Sequence, residues 1–289
     1  MSIKILADSA SDLSKKYYNE FDIEMVPLTV QLDGKEYKDG QTIEPKTVYN
    51  SMREGKSPKT SQVSASIFKS IFTKHAKANE PLLYIAFSSA LSGTYQTAKM
   101  MELEVKEDYP DAPIHIIDTK CASIGCGLVA IHAAKLAQNG SSVEEIIDAA
   151  NYQAEHMEHI FTVDNLEYLY RGGRVSKTAA FVGTLLKIKP LLHVEDGKLI
   201  PLEKIRGSKK VLQRMIDVME ERGTDFKRQT IGISHGDDLE KAELLASMIS
   251  DNFGIKQDDI IIDMVGAVVG SHAGPGTIAL FFSNLPVNE

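Results

Sequence analysis

Two cysteines, Cys121 and Cys126, are all that the 289 residues contain. Five apart, they make neither a C-x-x-C pair nor a zinc pattern. Beside Gly125 and Gly127, at a helix start rich in small residues, they read as packing residues. No run approaches the roughly 20 apolar residues needed to span a bilayer, so stable membrane insertion is not expected. The N-terminal stretch Met1 to Asp8 is too short and too soon charged for a signal peptide; it reads as a first strand and points to the cytoplasm. A basic excess is missing too. The formal net charge is -8, which favours neither nucleic acid nor an anionic membrane surface.

Several catalytic signatures are also missing. No G-x-G-x-x-G follows a strand, which leaves a dinucleotide site poorly supported. No G-x-S-x-G is present, which argues against an α/β-hydrolase nucleophile. There is no H-E-x-x-H, no EF-hand and no carboxylate pair on a helix face, so neither a metal nor another cofactor is expected. Tandem repeats, low-complexity tracts and long linkers are lacking as well.

What is there centres on Leu82 to Ala98. An apolar run ends in Ser88, Ser89, Ser92, Gly93 and Thr94, and helical spacing follows. In an α/β protein this reads as strand, tight turn and helix N-terminus, where ligands gather. Unpaired backbone N–H groups and the helix dipole favour an anion there, and the hydroxyls add donors. No Lys or Arg lies between Pro81 and Ala98, so this is not a P-loop. A carboxylate suits such a cradle better than a triphosphate. The competing reading is that Ser92 only caps the helix.

Strands and helical patterns alternate through the first half. Strands are expected at Ile3–Ala7, Glu24–Leu32, Leu82–Phe87 and Ile114–Ile117. Helices are expected from Pro45 to Glu54, from Ser64, from the hydroxyl turn to about Glu107, and over Ala122–Gln138 and Val143–Met157. That alternation implies a mainly parallel sheet. The second half changes rhythm, with strands at Ile160–Val163, Thr230–Ser234, Asp259–Met264 and Thr277–Ser283. Asp196-Gly197 marks a hairpin between Leu191–Val194 and Lys198–Ile205. Helices are expected over Ser208–Arg222 and Leu239–Asn252. The expected fold class is α/β in two domains. Residues 1–158 form a Rossmann-like domain, a mainly parallel sheet with helices on both faces. Residues 159–289 form an α+β two-layer sandwich with a mixed sheet. The cleft between them is the expected ligand site.

Three other polar stretches invite a role. Lys59-Thr60-Ser61-Gln62 is either a ligand loop or a helix cap box. Arg171-Gly172-Gly173-Arg174-Val175-Ser176 sets glycines between two planar cationic donors; the plain alternative is a helix C-cap with surface arginines. In the glycine-rich run Gly266 to Thr277, His272 has little bulk around it and reads as a ligand-facing imidazole, neutral or cationic. The remaining histidines carry less. His75, His132, His156 and His159 are expected on helices or at a helix end, His115 and His193 in strands, and His235 at a strand end. Asp8 and Asp12 are either turn residues or a metal pair, the former being the ordinary role. The basic cluster Lys204, Arg206, Lys209, Lys210 and Arg214 is a solvated helix face or a docking patch for an acidic partner. Ile67, Ile71 and Phe181–Leu192 are candidate walls of a ligand tunnel, although such stripes are more often plain core.

Taken in order, these residues resemble the DegV family of bacterial fatty-acid-binding proteins. The matching set is Asp8-Ser9-x-x-Asp12-Leu13, Thr60-Ser61-Gln62, Ser88-Ser89-x-x-Ser92-Gly93-Thr94-Tyr95-x-x-Ala98 and Asp118-Thr119-Lys120. It continues with Gly172-Gly173-Arg174-Val175-Ser176, Lys187-x-Lys189-Pro190 and His272-x-Gly274-x-Gly276. The family often has Pro where this chain has Val63. The resemblance implies a long-chain fatty acid, of the palmitate or oleate class, buried between the domains. Its carboxylate would be held by hydroxyls matching Thr60 or Ser61 and Ser92, at the helix start of Gly93 and Thr94, with Arg174 and His272 close by. It also implies a carrier without turnover of its own, for lipid transport or for presenting the carboxylate to a separate ATP-dependent kinase that makes an acyl phosphate, with Arg206 in the docking region. Two other readings compete. One is a hydrolase or transferase using Ser92 with His272, for which no group orienting the imidazole can be named. The other is an interaction protein built on the basic patch. The energetics suit the first: about 14 buried methylenes give roughly 11 kcal/mol gross at ~0.8 kcal/mol each, and a buried carboxylate must be paired.

Overall fold

The structure is a computed structural model that describes residues 3–176 and 188–285. Its elements in chain order are β1 Lys4–Asp8, α1 Lys15–Glu20, β2 Glu24–Val26, β3 Thr29–Leu32, β4 Lys35–Lys38, α2 Pro45–Arg53, β5 Lys59–Ser61 and α3 Ala65–Ala78. These are followed by β6 Leu82–Ala86, α4 Thr94–Asp108, β7 Ile114–Asp118, α5 Ile124–Gln138, α6 Val143–Glu155, β8 Met157–Thr162 and α7 Glu167–Arg171. The chain continues through β9 Ile188–Glu195, β10 Lys198–Arg206, α8 Ser208–Arg222, β11 Ile231–His235, α9 Leu239–Phe253, β12 Ile260–Met264, α10 Ala267–Ala273 and β13 Ile278–Ser283.

Alternation along the strands builds the first sheet. Its order is β2-β1-β6-β7, and every pairing is parallel. Ile5 and Ala7 of β1, with Leu83 and Ile85 of β6, point to the face covered by α5. Leu6, Leu82, Tyr84 and Ala86 point to the opposite face, with Phe68 and Phe72 of α3 and Met101 and Val105 of α4. Helices therefore cover both faces, as a parallel sheet requires.

The second sheet runs β10-β9-β8-β13-β11-β12 and is antiparallel except for β11 beside β12. Ile160, Ile278, Leu280, Phe282, Ile231 and Ile233 face α8 and α9. The alternate residues, Phe161, Ala279 and Phe281, face back toward α5. Helix α5 is thus shared by the two sheets. That is why it is apolar on all sides, with Ile124, Cys126, Leu128, Val129, Ala130 and Ile131 all buried. Its glycines admit the neighbours. A Cβ on Gly127 would stand 2.6 Å from Leu13, and one on Gly125 would overlap the His159 ring.

Sequence and structure part company in several places. The strand expected over Glu24–Leu32 is cut after Val26, because Pro27 offers no N–H to a ladder. Its second half, β3, joins β4 and β5 in a separate antiparallel sheet of order β4-β3-β5. Lys59-Thr60-Ser61 is accordingly a strand rather than a loop. The helix expected to reach Met157 stops at Glu155, and His159 lies in strand β8, not at a helix end. The glycine-rich run is helical over Ala267–Ala273. The Asp196-Gly197 signal is realised as a turn with left-handed backbone, at φ 48° and 76°, and Asp33-Gly34 makes another between β3 and β4, at φ 52° and 75°.

Candidate functional site

A cavity of about 370 Å³ lies between the inner face of the second sheet and the carboxyl ends of β1 and β6, within the range of small-molecule sites. Its wall is mostly apolar, built from Leu28, Phe87, Leu91, Phe161, Leu169, Val194, Leu199, Val265, Val268, Val269, Ala279 and Phe281. Thr60, Ser61, Gln62, Ser92, Gly93, Arg174 and His272 also line it. Ser123, His159, Ser234 and Thr277 are its other polar or titratable contributors.

Four separate segments converge on one end. Strand β5 brings Thr60, whose Oγ1 lies 2.6 Å from Nε2 of His272 in the last turn of α10. Ser92 precedes α4, whose N-cap is Gly93 and carries no side-chain cap bond. The Ser92 hydroxyl sits 2.9 Å from that of Thr94 and accepts the Thr94 N–H at 3.3 Å. Arg174 follows α7; its Nε donates to the Leu91 carbonyl at 3.1 Å, and a terminal nitrogen donates to the Gly172 carbonyl. Two glycines allow the segments to close on each other. A Cβ on Gly172 would overlap the His272 ring, and one on Gly274, at φ 82°, would overlap the Tyr168 ring.

The electrostatics of this end are distinctive. Burial, reinforced by the Arg174 charge, pushes the His272 imidazole down to about 4, so it is neutral at neutral pH. Burial alone lowers the Arg174 guanidinium, which stays charged. Among the described residues Arg174 forms no ion pair with a carboxylate. Outside the same end lies a polar cleft of about 350 Å³, lined by Ser57, Lys59, Thr60, Arg171, Arg174 and His272.

Not all expected site residues meet here. Thr60, Ser61, Ser92, Gly93, Arg174 and His272 do, whereas Thr94 is buried behind Ser92 and does not line the cavity. Ser88 and Ser89 are spent on structure. Ser88 donates to the Gly197 carbonyl at 2.8 Å, fastening the β9–β10 turn, and Ser89 bonds Asp118 through its hydroxyl and its N–H. Ile67 and Ile71 pack into the first sheet's core, and Leu191 and Leu192 lie in strand cores; none lines the cavity. Positions 181–187 of the other expected wall, with Lys187, lie outside the described residues. Arg206 ends β10 on the surface and does not line the cavity. The Ser92–His272 pair required by a nucleophilic reading is not formed, since the imidazole bonds Thr60 instead. Asp8 and Asp12 act as structural acceptors. Asp8 takes the Tyr84 hydroxyl at 2.6 Å and the Phe87 N–H at 3.0 Å, and Asp12 takes Ser123 Oγ and the Gly266 N–H.

His159 lines the cavity without having been singled out from the sequence. Its signal was the alternation His159, Phe161 on one face against Ile160, Thr162 on the other, hidden by the helical pattern running up to Met157.

Fold and cavity together define a class: α/β proteins with a parallel and a mixed main sheet and a buried, largely apolar chamber, closed at one end by hydroxyls, an imidazole and a guanidinium. The chain belongs to the DegV family. The model of that family, described as an uncharacterised protein of the DegV family, matches residues 2–285. A DegV domain-containing protein of Clostridium perfringens is 44% identical over 96% of both chains. A fatty-acid-binding DegV family protein from Thermus thermophilus superposes with a TM-score of 0.88 at 29% identity, covering 98% of this chain and 100% of its own. A hypothetical protein from Thermotoga maritima, whose structure reveals a fatty acid binding function, does so at 0.85 with 32% identity, covering 99% and 100%.

Proposed function

We propose that this chain binds a long-chain fatty acid, its tail in the apolar chamber and its carboxylate among Thr60, Ser61, Ser92, Gly93, Arg174 and His272. Thr94 supports that group from behind by holding the Ser92 hydroxyl. The observation that carries the reading is Arg174, a half-buried guanidinium at the head of an apolar chamber with no carboxylate partner among the described residues. A partly desolvated charge favours a counter-charge, and a monoanion with a long apolar tail supplies one that fits both ends. A neutral imidazole beside it, bonded to the Thr60 hydroxyl, orients that hydroxyl toward a carboxylate without adding a second charge.

The two parts of the chain divide near residue 158 in this reading, and the ligand lies between 1–158 and 159–289. The polar cleft outside Thr60, Arg174 and His272 gives a second protein a path to one carboxylate oxygen, which supports carriage or presentation to a separate kinase forming the acyl phosphate. The surface around Arg206 is the proposed contact for that partner. No catalytic residue is assigned to this chain. The test is denaturing extraction of the purified protein followed by mass spectrometry. Near-stoichiometric C14 to C20 fatty acid is expected. A protein that is empty, and that takes up neither palmitate nor oleate, overturns the reading.

A further inference from the structure

We propose that His159, with Phe281 beside it, is the floor of the chamber and fixes how long a tail it accepts. The proposal rests on the fatty-acid reading above. The inner face of the second sheet gives the direction. Thr277 abuts the end of α10 that carries His272, through hydrogen bonds from its Oγ1 to the Ala273 and Gly274 carbonyls at 3.1 and 2.8 Å. From there β13 runs away from the polar end. Ala279 lies opposite Phe161, and two residues on Phe281 lies opposite His159; each step along the face is about 7 Å. One step further, Ser283 lies opposite Met157. Those two residues line a different cavity, of about 230 Å³, on the far side. His159 and Phe281 are the pair between the two spaces.

The ring cannot move aside. Its Nδ1–H donates to the Met157 carbonyl at 3.0 Å, and its Nε2 accepts the Ala122 N–H at 3.1 Å. Gly125 of α5 is packed against the ring so closely that a Cβ there would overlap it. Phe281 meets it edge-on, with ring centroids 5.3 Å apart and an interplanar angle of 83°. Both ring nitrogens are engaged by backbone, so the imidazole is fixed in one tautomer and presents carbon to the chamber. Burial keeps it neutral. A rigid apolar stop of this kind sets a length, where a flexible side chain would yield.

The test is the acyl-chain distribution carried by the whole protein. In the wild type, affinity for a saturated series from C12 to C22 should rise about fourfold per added carbon until the terminal methyl reaches the ring, then fall. His159→Ala should move the extracted population and the affinity optimum to chains at least two carbons longer, with occupancy retained. Phe281→Leu leaves both His159 hydrogen bonds in place and should move them in the same direction, which keeps the proposal testable if H159A does not fold. Unchanged distributions in the folded variants overturn it, as does a wild-type affinity that keeps rising through C22. A wild type that binds no fatty acid is a failure of the functional reading, and is told apart by that result alone.

Discussion

Among the described residues Arg174 is a cation without an acidic partner, and that makes its replacement informative. Arg174→Gln should weaken retention of a fluorescent fatty acid by about tenfold to a hundredfold, the cost of one charge-assisted hydrogen bond of roughly 1.5–3 kcal/mol. The fold should survive, because among the described residues the guanidinium otherwise bonds the Leu91 and Gly172 carbonyls alone. The imidazoles give a second prediction. His272 and His159 are both held at about 4 by burial, against about 6.5 in an unfolded chain. Between those values the native state binds fewer protons than the unfolded one. Their contribution is therefore fully present above pH 6.5 and is lost as pH falls toward 4. Urea titrations between pH 7.5 and 4 should show this loss, and His272→Gln should show a shallower one. At this scale much of the polar lining of the cavity was legible, since Thr60, Ser92, Arg174 and His272 were each picked out by polar residues set among glycines or at a strand end. What sequence could not separate were neighbours of like chemistry. Ser88 and Ser92 are both hydroxyls in one turn, yet one fastens a hairpin and the other lines the chamber.

Helix α10 shows how a short element is placed. Its seven residues carry Val268 and Val269 into the chamber wall and His272 to the polar end. Its start is fixed by two carboxylates from the first half of the chain, Asp12 on the Gly266 N–H at 2.9 Å and Asp39 on the Ala267 N–H at 3.0 Å. This is the role of Asp12 that a metal-pair reading would have missed. Burial raises the Asp39 carboxyl to about 6, against the hydrogen bonds that favour its charged form. A raised carboxyl contributes stability that is present below about pH 3.8 and lost as pH rises through 6. Asp39→Asn keeps an acceptor for Ala267 and removes the buried charge. It should be more stable than the wild type at pH 7.5 by about 1–3 kcal/mol, and the difference should vanish near pH 3.5 in denaturant titrations. Elements with strong periodicity or Asp-Gly turns were readable in the sequence. Helix α10 was not, because Gly266, Gly270 and Gly274 imitate a loop. Gly270 is there for packing, since a Cβ would stand 2.5 Å from the Tyr49 hydroxyl.

At the scale of the molecule, the two sheets were foreseeable from the change of rhythm near residue 158, and the helix between them was not. Nothing in a run such as Ile124-Gly-Cys-Gly-Leu-Val-Ala-Ile says that both of its sides meet a sheet. The glycines are the trace of that arrangement. Gly125→Ala forces a methyl into the His159 ring and should cost about 1–3 kcal/mol, read as a lower Tm. Gly232→Ala on β11 should behave alike, its methyl lying 2.6 Å from Ile124.

The shared helix also governs what happens if the chain is divided. The turn after α5, at Asn139 and Gly140, is exposed, and Gly140 has open space around it. A fragment ending there keeps α5 but leaves one flank of it bare, and the remaining fragment leaves bare the strands that covered it. Each half then holds the other's missing surface. Residues 1–139 and 140–289, produced apart and mixed, should reconstitute a single particle on size exclusion, the broken peptide bond being one that the folded molecule does not need.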